Sequence, residues 1–230
     1  MSAILSSAGG IYYHLKALRY RTLWGDFQES LNQWLCAGDL PPEIFIFGAS
    51  GGYCLTETFL KQFERITLND IDPLSPLFFR NRFKNLNCTW DKHNHLLDIS
   101  RGEGKEFLKK HGGSLFLFCN ILGQKIIGID NKKHFLMEQF SDLNFISFHD
   151  IYSSSLSFKL PDHEILEGID FSVPADAKKY LGPSFMRKVE ITDHLTKDLF
   201  PNLPKKYMQW QISKKRFHLI EGVKAFVGRQ

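Results

Sequence analysis

The chain has 230 residues, 43% of them apolar, and it contains 21 phenylalanines. A chain of this length and composition suits one globular domain with a bulky aromatic core. The formal net charge of +4 is small, and the basic residues are not concentrated as in a typical nucleic-acid-binding domain. The composition therefore disfavours a nucleic-acid partner, although it does not exclude one.

Cysteine usage and hydropathy predict the compartment. The four cysteines have no C-x-x-C spacing and lie among apolar residues, which indicates reduced core thiols rather than a disulfide framework or a zinc site. The N-terminal segment lacks the basic and apolar regions of a signal peptide, and no stretch reaches the length of a membrane span. We expect a soluble, cytoplasmic protein with no membrane partner.

The first 42 residues are expected to be helical. Apolar residues recur at helical spacing in two stretches over residues 11–36, and Gly38 with the following Pro41 and Pro42 ends the second stretch. We therefore separate an N-terminal helical segment, residues 1–42, from the main domain, residues 43–230.

The start of the main domain predicts a β-α-β unit. An apolar run at residues 44–47 is short enough for a buried strand, and the small residues Gly48-Ala49-Ser50-Gly51-Gly52 follow it. A helical pattern over residues 55–63 leads to a second strand at residues 66–68, which is followed by the carboxylate of Asp70. A strand, a glycine-rich turn, a helix and a strand with a terminal carboxylate form the first unit of a nucleotide-binding sheet.

The spacing of the turn distinguishes between adenosine ligands. As the dinucleotide fingerprint G-x-G-x-x-G, the turn would place Tyr53 at the third glycine, where a tyrosine blocks close packing of helix on strand. As G-x-G-x-G, it runs Gly48-x-Ser50-x-Gly52 with one conservative change. Together with the NDIDP segment after the second strand, this motif resembles the class I S-adenosylmethionine-dependent methyltransferases, and the resemblance extends to most of residues 43–227.

The resemblance implies a fold and an activity. The fold would be a three-layer α/β/α sandwich around a mostly parallel, seven-stranded Rossmann-like sheet with a C-terminal antiparallel hairpin, and residues 1–42 would cover the cofactor edge. The cofactor would be S-adenosylmethionine, and the reaction would be methyl transfer to an unidentified small-molecule or macromolecular acceptor. The chain departs from the family at Ile46, where many members carry an acidic residue, and at Ser50, which replaces the middle glycine.

The resemblance also implies a set of cofactor-binding residues. The turn would pass under the methionine portion, Asp70 would bind the ribose hydroxyls and Ile71 would pack on adenine. Residues 87–98 predict a third, less regular strand that ends near Asp98. In the resembled family an acidic residue at this position often contacts the adenine amino group. Asp98 could equally well cap a helix over residues 101–111. The expected cofactor-binding residues are Gly48, Ala49, Ser50, Gly52, Asp70, Ile71, Asp98 and Asn120.

Candidate catalytic residues follow the fourth and fifth predicted strands. The apolar runs at residues 115–119 and 145–148 are continuous, as in parallel strands that are buried on both faces. Asn120 follows the first run, and in the resembled family this strand end lies beneath the methyl group. His149 and Asp150 follow the second run and form the best-placed acid–base pair, because ligands bind beyond the carboxyl ends of such strands. A strand end without chemistry would explain this pair equally well.

Other segments have weaker patterns. A helix is expected over residues 132–140, and the prolines and lack of period in residues 151–188 predict an irregular insertion on the substrate side. A further helix is expected near residues 191–199. Alternating residues over 208–213 and the stretch 217–226 then predict the antiparallel hairpin.

An H-x-H pair, His93 and His95, has the spacing of two metal ligands on one face of a strand. A transition-metal site needs three or four protein ligands, and the sequence offers no third ligand nearby. We therefore predict no bound metal.

Three other functions fit parts of the same pattern. The turn also matches the G-x-S-x-G nucleophile elbow of α/β-hydrolases. Ser50 would be the nucleophile, and Asp150 and His194 or His218 follow it in the required chain order. A hydrolase, however, needs several strands before its elbow. A short-chain dehydrogenase needs a tyrosine and a lysine four residues apart after the nucleotide motif, and this chain has no such pair there. The last alternative is a degenerate methyltransferase-like domain that serves as an interaction module.

Overall fold

The computed structural model describes residues 10–122, 138–158, 160, 164–165 and 191–228, and one eight-stranded sheet runs through them. In chain order the strands are β1 (Glu43–Phe47), β2 (Arg65–Asn69), β3 (Cys88–Asp91), β4 (Leu115–Cys119), β5 (Asn144–Ser154), β6 (Ile191–Asp193), β7 (Lys205–Ser213) and β8 (Arg216–Ala225). The helices are α1 (Gly10–Tyr20), α2 (Gly25–Leu35), α3 (Glu57–Leu60), α4 (Ser75–Arg82), α5 (His95–Ser100) and α6 (Lys105–Lys110). None of the described helices is both long enough and apolar enough to cross a bilayer.

The sheet has the expected architecture. Its strand order is β3-β2-β1-β4-β5-β8-β7, and β6 is an additional short strand beside β5. Strands β1 to β5 are parallel, whereas β8 is antiparallel to both β5 and β7. The prediction of a mostly parallel Rossmann-like sheet with a C-terminal antiparallel hairpin is therefore confirmed. The helix expected near residues 191–199 is wrong, because Ile191–Asp193 form a strand that pairs with the far end of β5 and residues 194–199 contain only turns and bends.

Continuous apolar strands are buried on both faces of the sheet. Successive side chains of a strand point to opposite faces, so each central strand supplies residues to two cores. On one face phenylalanine rings pack together, and Phe47 of β1 stacks on Phe118 of β4 with ring centroids 4.9 Å apart. On the other face aliphatic side chains such as Ile46 and Leu117 pack in one cluster with residues of α1 and α2. The central strands are thus enclosed between two layers.

The N-terminal helices pack on the aliphatic face beside the hairpin. Phe27 of α2 stacks on Trp210 of β7 with ring centroids 5.0 Å apart, and Trp24 meets the same indole edge-on at 4.8 Å. Each of these three side chains is at most 2% exposed. Burying such rings is among the larger stabilising contributions in a core, so the contact fixes residues 10–35 against the main domain.

Several expected helices are shorter than the pattern suggests. After the glycine-rich turn only Glu57–Leu60 are helical, because Thr56 caps the helix there and β2 already begins at Arg65. The helix expected over residues 101–111 is α6, which begins at Lys105. Residues 138–140 are helical, but the rest of the helix expected over residues 132–140 lies outside the described residues.

The end of the third strand was predicted wrongly. Strand β3 ends at Asp91, and the chain then turns into α5, which contains Asp98. Asn94 caps this helix by accepting a hydrogen bond from the backbone N–H of Leu97, and the following helix α6 has Gly104 at its cap position. Asp98 is therefore neither a strand-end carboxylate nor a helix cap.

The end of the fifth strand was also predicted wrongly. Pairing of β5 with β4 stops at Phe148, but pairing with β8 continues as far as Ser154. This second partner keeps the backbone extended, so His149 and Asp150 lie inside the strand rather than after it. The irregular insertion expected over residues 151–188 accordingly begins with four strand residues, and most of its remainder lies outside the described residues.

Candidate functional site

A small cavity lies where the strand order reverses. Strands β2 and β3 extend the sheet on one side of β1, and β4 and β5 extend it on the other, so β1 and β4 flank the switch point at which open α/β sheets bind ligands. The cavity there encloses about 30 Å³, which is room for about one or two water molecules. Its lining residues are Tyr13, Gly48, Ala49, Ser50, Tyr53, Cys54, Leu55, Cys119, Asn120, Phe148 and Trp210.

The turn after β1 needs glycine for two physical reasons. Gly48 and Gly52 have φ angles of +68° and +67°, a region that other residues adopt at a cost. A Cβ on Gly48 would lie 3.0 Å from the carbonyl oxygen of Cys119, and one on Gly52 would lie 2.4 Å from the ring of Phe83. Ser50 also has a positive φ, +46°. The turn therefore packs closely against its neighbours, and larger side chains at Gly48 and Gly52 would not fit.

Replacing Gly52 with alanine is expected to destabilise the fold by about 1–3 kcal/mol, because it adds both backbone strain and a clash with Phe83. The matched control is Gly25→Ala, since Gly25 has a helical φ of −56° and a methyl group added there would have nothing within 4 Å. That control is expected to be neutral or stabilising by up to about 1 kcal/mol. Urea unfolding midpoints measure both variants, and equal midpoints would contradict the close packing of the turn.

Asp70 braces the turn from the end of β2. Its Oδ2 accepts a hydrogen bond from the backbone N–H of Ser50 at 2.7 Å, and its Oδ1 accepts one from the N–H of Asp72 at 2.8 Å. Burial raises the pKa of the Asp70 carboxyl, while these two N–H groups oppose the rise. The next residue, Ile71, has a side chain that is 50% exposed. A fixed carboxylate and an exposed apolar side chain thus stand next to each other at this edge.

Helix α1 covers the same edge through a buried polar network. His14 is fully buried, with Nδ1 2.9 Å from the hydroxyl of Tyr53 and Nε2 3.1 Å from Oδ2 of Asp72. The backbone N–H of Gly10 donates to the same carboxylate oxygen at 2.6 Å. Burial lowers the pKa of His14, although Asp72 opposes this effect. The network connects α1 to the loops that follow β1 and β2.

Asn120 joins the ends of β4 and β5. Its Oδ1 accepts a hydrogen bond from the backbone N–H of Asp150 at 2.8 Å, and its own N–H donates to the carbonyl of Phe148 at 2.8 Å. Its φ of +51° turns the chain out of the strand. Asn120 lines the cavity, but its side-chain oxygen already accepts a bond from the neighbouring strand.

Asp150 lies beside the cavity with two histidines. It follows Phe148 by two residues on β5 and so lies on the same face of the sheet. Asp150 Oδ2 is 3.1 Å from Nδ1 of His218 and 3.6 Å from Nε2 of His194. Burial alone would raise the pKa of the Asp150 carboxyl, but the hydrogen bond with His218 and the nearby imidazoles hold it below its usual value. Trp210, which lines the cavity, pairs with His218 across β7 and β8.

His149 points to the opposite face and does not line the cavity. It is fully buried, with Nδ1 3.3 Å from the Ser147 hydroxyl and Nε2 3.5 Å from Oε1 of Glu221, a distance at which no hydrogen bond forms. Asp98 is likewise absent from the cavity lining and pairs with His93.

Gly52, Asp70, Ile71 and Asp150 do not line the cavity either. However, Asp70 is hydrogen-bonded to the turn and Asp150 to Asn120. The side-chain hydrogen bonds of His149 and Asp98 go instead to Ser147 and His93.

The described residues do not assemble a covalent nucleophile. The Ser50 hydroxyl is buried without a hydrogen-bond partner among them, whereas His194 and His218 are paired with Asp150. A hydrolase nucleophile requires a hydrogen bond to its base, so the hydrolase interpretation is disfavoured. Burial raises the pKa of Cys54 to about 12, so its thiol stays neutral at pH 7. The four cysteines are free thiols.

The sequence did not single out several residues at this edge. Tyr53 follows the glycines directly, and its polar contacts depend on His14, which looks in the sequence like one more member of a basic helix. Trp210 and Phe148 reach the cavity only through the pairing of distant strands. No local spacing distinguishes such residues from ordinary core residues.

No protein-family model matches the sequence, and no curated protein does either. Solved structures with some similarity include the DhpI–SAM–HEP complex, with a TM-score of 0.45, 12% identity and coverage of 91% of this chain and 94% of that chain. The N-methyltransferase NodS from Bradyrhizobium japonicum WM9 in complex with S-adenosyl-L-homocysteine has a TM-score of 0.42 and 13% identity, with coverage of 89% of this chain and 97% of that chain. Magnesium protoporphyrin IX methyltransferase (ChlM) from Synechocystis PCC 6803 with bound SAM has a TM-score of 0.42 and 12% identity, with coverage of 94% of this chain and 86% of that chain. At these scores and identities the similarity assigns no function by itself.

Proposed function

We propose that this protein binds S-adenosylmethionine and transfers its methyl group to an acceptor. The observation that carries the proposal is the braced carboxylate of Asp70 beside a narrow glycine turn at the switch point of the sheet. A carboxylate at the end of β2 suits the two hydroxyls of a ribose, and a turn of small residues lets a ligand approach the backbone closely.

The chemistry of the described residues at this edge of the sheet supports such a cofactor. Asp70 would bind the ribose and Ile71, with half of its side chain exposed, would pack on adenine. Gly48, Ala49, Ser50 and Gly52 would hold the methionine portion, and the unpartnered Ser50 hydroxyl would gain a partner there. Asp98 is not part of this proposal, because it lies in α5 and pairs with His93.

We expect binding of the cofactor to be coupled to movement of α1. Sites for ligands of this size enclose about 300–1,000 Å³, roughly ten times or more the 30 Å³ present here. Tyr13 of α1 and Tyr53 line the cavity, and Tyr53 is held by His14. Displacement of these two tyrosines would open the turn, so we expect the N-terminal helix to shift when the cofactor binds.

The chain would promote methyl transfer mainly by orienting the acceptor and the cofactor relative to each other. When bound, the cofactor supplies a sulfonium methyl group that is open to in-line attack. Asn120 holds the ends of β4 and β5 together at the cavity. Asp150 lies two residues beyond the cavity-lining Phe148 on the same face of β5, where its carboxylate can orient an acceptor. His149 has no part in this step, because it is buried against Glu221 on the other face.

Isothermal titration of the full chain tests the proposal. We expect saturable binding of S-adenosylmethionine and S-adenosylhomocysteine and no binding of NAD or NADP. If none of the four ligands binds, the interaction-module alternative replaces this proposal. If NAD or NADP binds instead, the cofactor assignment is wrong. Labelling of Ser50 by a fluorophosphonate would revive the hydrolase alternative.

A further inference from the structure

We propose that Asp150, His194 and His218 bind a divalent transition-metal ion such as zinc. The three residues come from β5, from the position just after β6 and from β8, and the sheet brings them together. The inference does not depend on the proposed function, since metal binding can be measured without the cofactor.

The distances suit tetrahedral coordination. Asp150 Oδ2 lies 3.1 Å from Nδ1 of His218 and 3.6 Å from Nε2 of His194, and the three ligand atoms all lie within 4.8 Å of one another. Zinc bonds to nitrogen and oxygen are about 2.0–2.2 Å long, so ligand atoms at the corners of a tetrahedron are about 3.3–3.6 Å apart. Two of the three separations already match these values to within a few tenths of an ångström.

The donor set selects the class of metal. Two imidazoles and one carboxylate suit zinc or iron(II), whereas magnesium and calcium prefer sites made of oxygen atoms alone. Three protein ligands leave at least one position for water or another molecule, as in catalytic rather than structural zinc sites. The side chains of Asp150, His194 and His218 are 17%, 27% and 14% exposed, so an ion can enter from solvent.

The surroundings of the cluster set its affinity. The Ser153 hydroxyl lies 3.1 Å from Nε2 of His194 and accepts a hydrogen bond from Arg216 at 2.6 Å, and Arg216 also donates to Thr192 at 3.0 Å. The charge of Arg216 opposes a nearby cation and lowers the affinity. The Ser153 hydroxyl is the present partner of His194 Nε2, so a metal ion that binds this nitrogen has to replace that hydrogen bond.

A second cluster provides an internal control. His93, His95 and Asp98 also lie close together, so the expectation that the H-x-H pair has no third ligand nearby is wrong. The His93 side chain is 60% exposed, and His95 is paired with Asp91 at 2.7 Å. Exposure to solvent weakens each ion–ligand contact of this second cluster. We therefore expect the Asp150 cluster to bind more tightly than this one.

Zinc titration of the metal-stripped full chain against a chelating dye tests the proposal, with magnesium as the control ion. The His93→Ala/His95→Ala variant removes the second cluster and is expected to keep one zinc ion per chain. Adding His218→Ala or Asp150→Asn is expected to lower the zinc affinity by more than the roughly 10–100-fold typical of losing an outer-shell partner.

His194→Ala is the variant with the smallest risk to folding, because its side chain is the most exposed of the three. Zinc should raise the Tm of the His93→Ala/His95→Ala variant, since an ion that binds the folded state stabilises it, and adding His194→Ala should remove the rise. The proposal is overturned if the double variant binds no zinc, or if its zinc affinity is unchanged by His194→Ala. Neither result bears on S-adenosylmethionine binding, so failure of the two proposals can be told apart.

Discussion

Asp70→Ala is expected to weaken binding of S-adenosylhomocysteine by at least about 100-fold. A hydrogen bond to a charged group contributes about 1.5–3 kcal/mol, and the carboxylate would accept two such bonds from the ribose. Loss of the acceptors for the N–H groups of Ser50 and Asp72 would also loosen the turn that holds the rest of the cofactor. Isothermal titration measures the affinity, and circular dichroism during urea unfolding shows whether the variant still folds cooperatively.

The matched control is Asp142→Ala. Asp142 is an exposed carboxylate just before β5, at the opposite edge of the sheet from Asp70. We expect its removal to leave the affinity for S-adenosylhomocysteine unchanged. A folded Asp70→Ala variant that binds as tightly as the unmodified chain would remove the ribose assignment, whatever the acceptor of the methyl group proves to be.

Glu221→Ala is expected to destabilise the protein by about 3–5 kcal/mol. Glu221 is fully buried in β8, where its Oε2 accepts a hydrogen bond from the hydroxyl of Tyr207 at 3.1 Å and its Oε1 accepts one from the N–H of Asp198 at 3.2 Å. Nε2 of His149 lies 3.5 Å from the same Oε1. Removing the carboxylate takes one acceptor away from each of these donors and leaves a cavity in the sheet, and a buried donor that loses an acceptor costs free energy. The midpoint of urea unfolding should fall accordingly.

Two further variants distinguish the stability lost with the polar network from the stability lost with side-chain volume. Glu221→Gln keeps the shape of the side chain and an acceptor oxygen, so it should cost clearly less than the alanine variant. Glu103→Ala removes an exposed carboxylate and should change the stability by less than about 0.5 kcal/mol. Similar unfolding midpoints for Glu221→Ala and Glu103→Ala would show that the buried network contributes nothing to the fold.

The glycine-rich turn and the carboxylate after β2 illustrate how much local sequence can predict. Gly48 and Gly52 have positive φ angles, which favour glycine, so the glycines in the sequence already indicate a tight turn. Asp70 comes directly after an apolar strand, and the carboxyl ends of parallel strands lie at one edge of the sheet. The proximity of the turn to Asp70 therefore needed no knowledge of distant contacts.

The placement of His149, Asp150 and Asp98 could not be predicted in the same way. The apolar run of β5 ends at Phe148, and only pairing with β8 shows that the strand continues through His149 and Asp150. Asp98 lies after an irregular stretch in which the hydrogen bond from Leu97 N–H to Asn94 starts a helix early. Short polar segments carry too little apolar pattern to fix where an element ends.

The sequence by itself determined the parallel sheet, its antiparallel hairpin and the glycine turn with Asp70, because continuous apolar runs and special backbone angles are local properties. Tertiary structure decided which side chains meet at the switch point. Tyr13 and Trp210 reach the cavity from opposite ends of the chain, and His194 and His218 join Asp150 through strand pairing. Such contacts depend on the registers of strands far apart in sequence, and a register is set by the packing of the whole sheet rather than by any one segment.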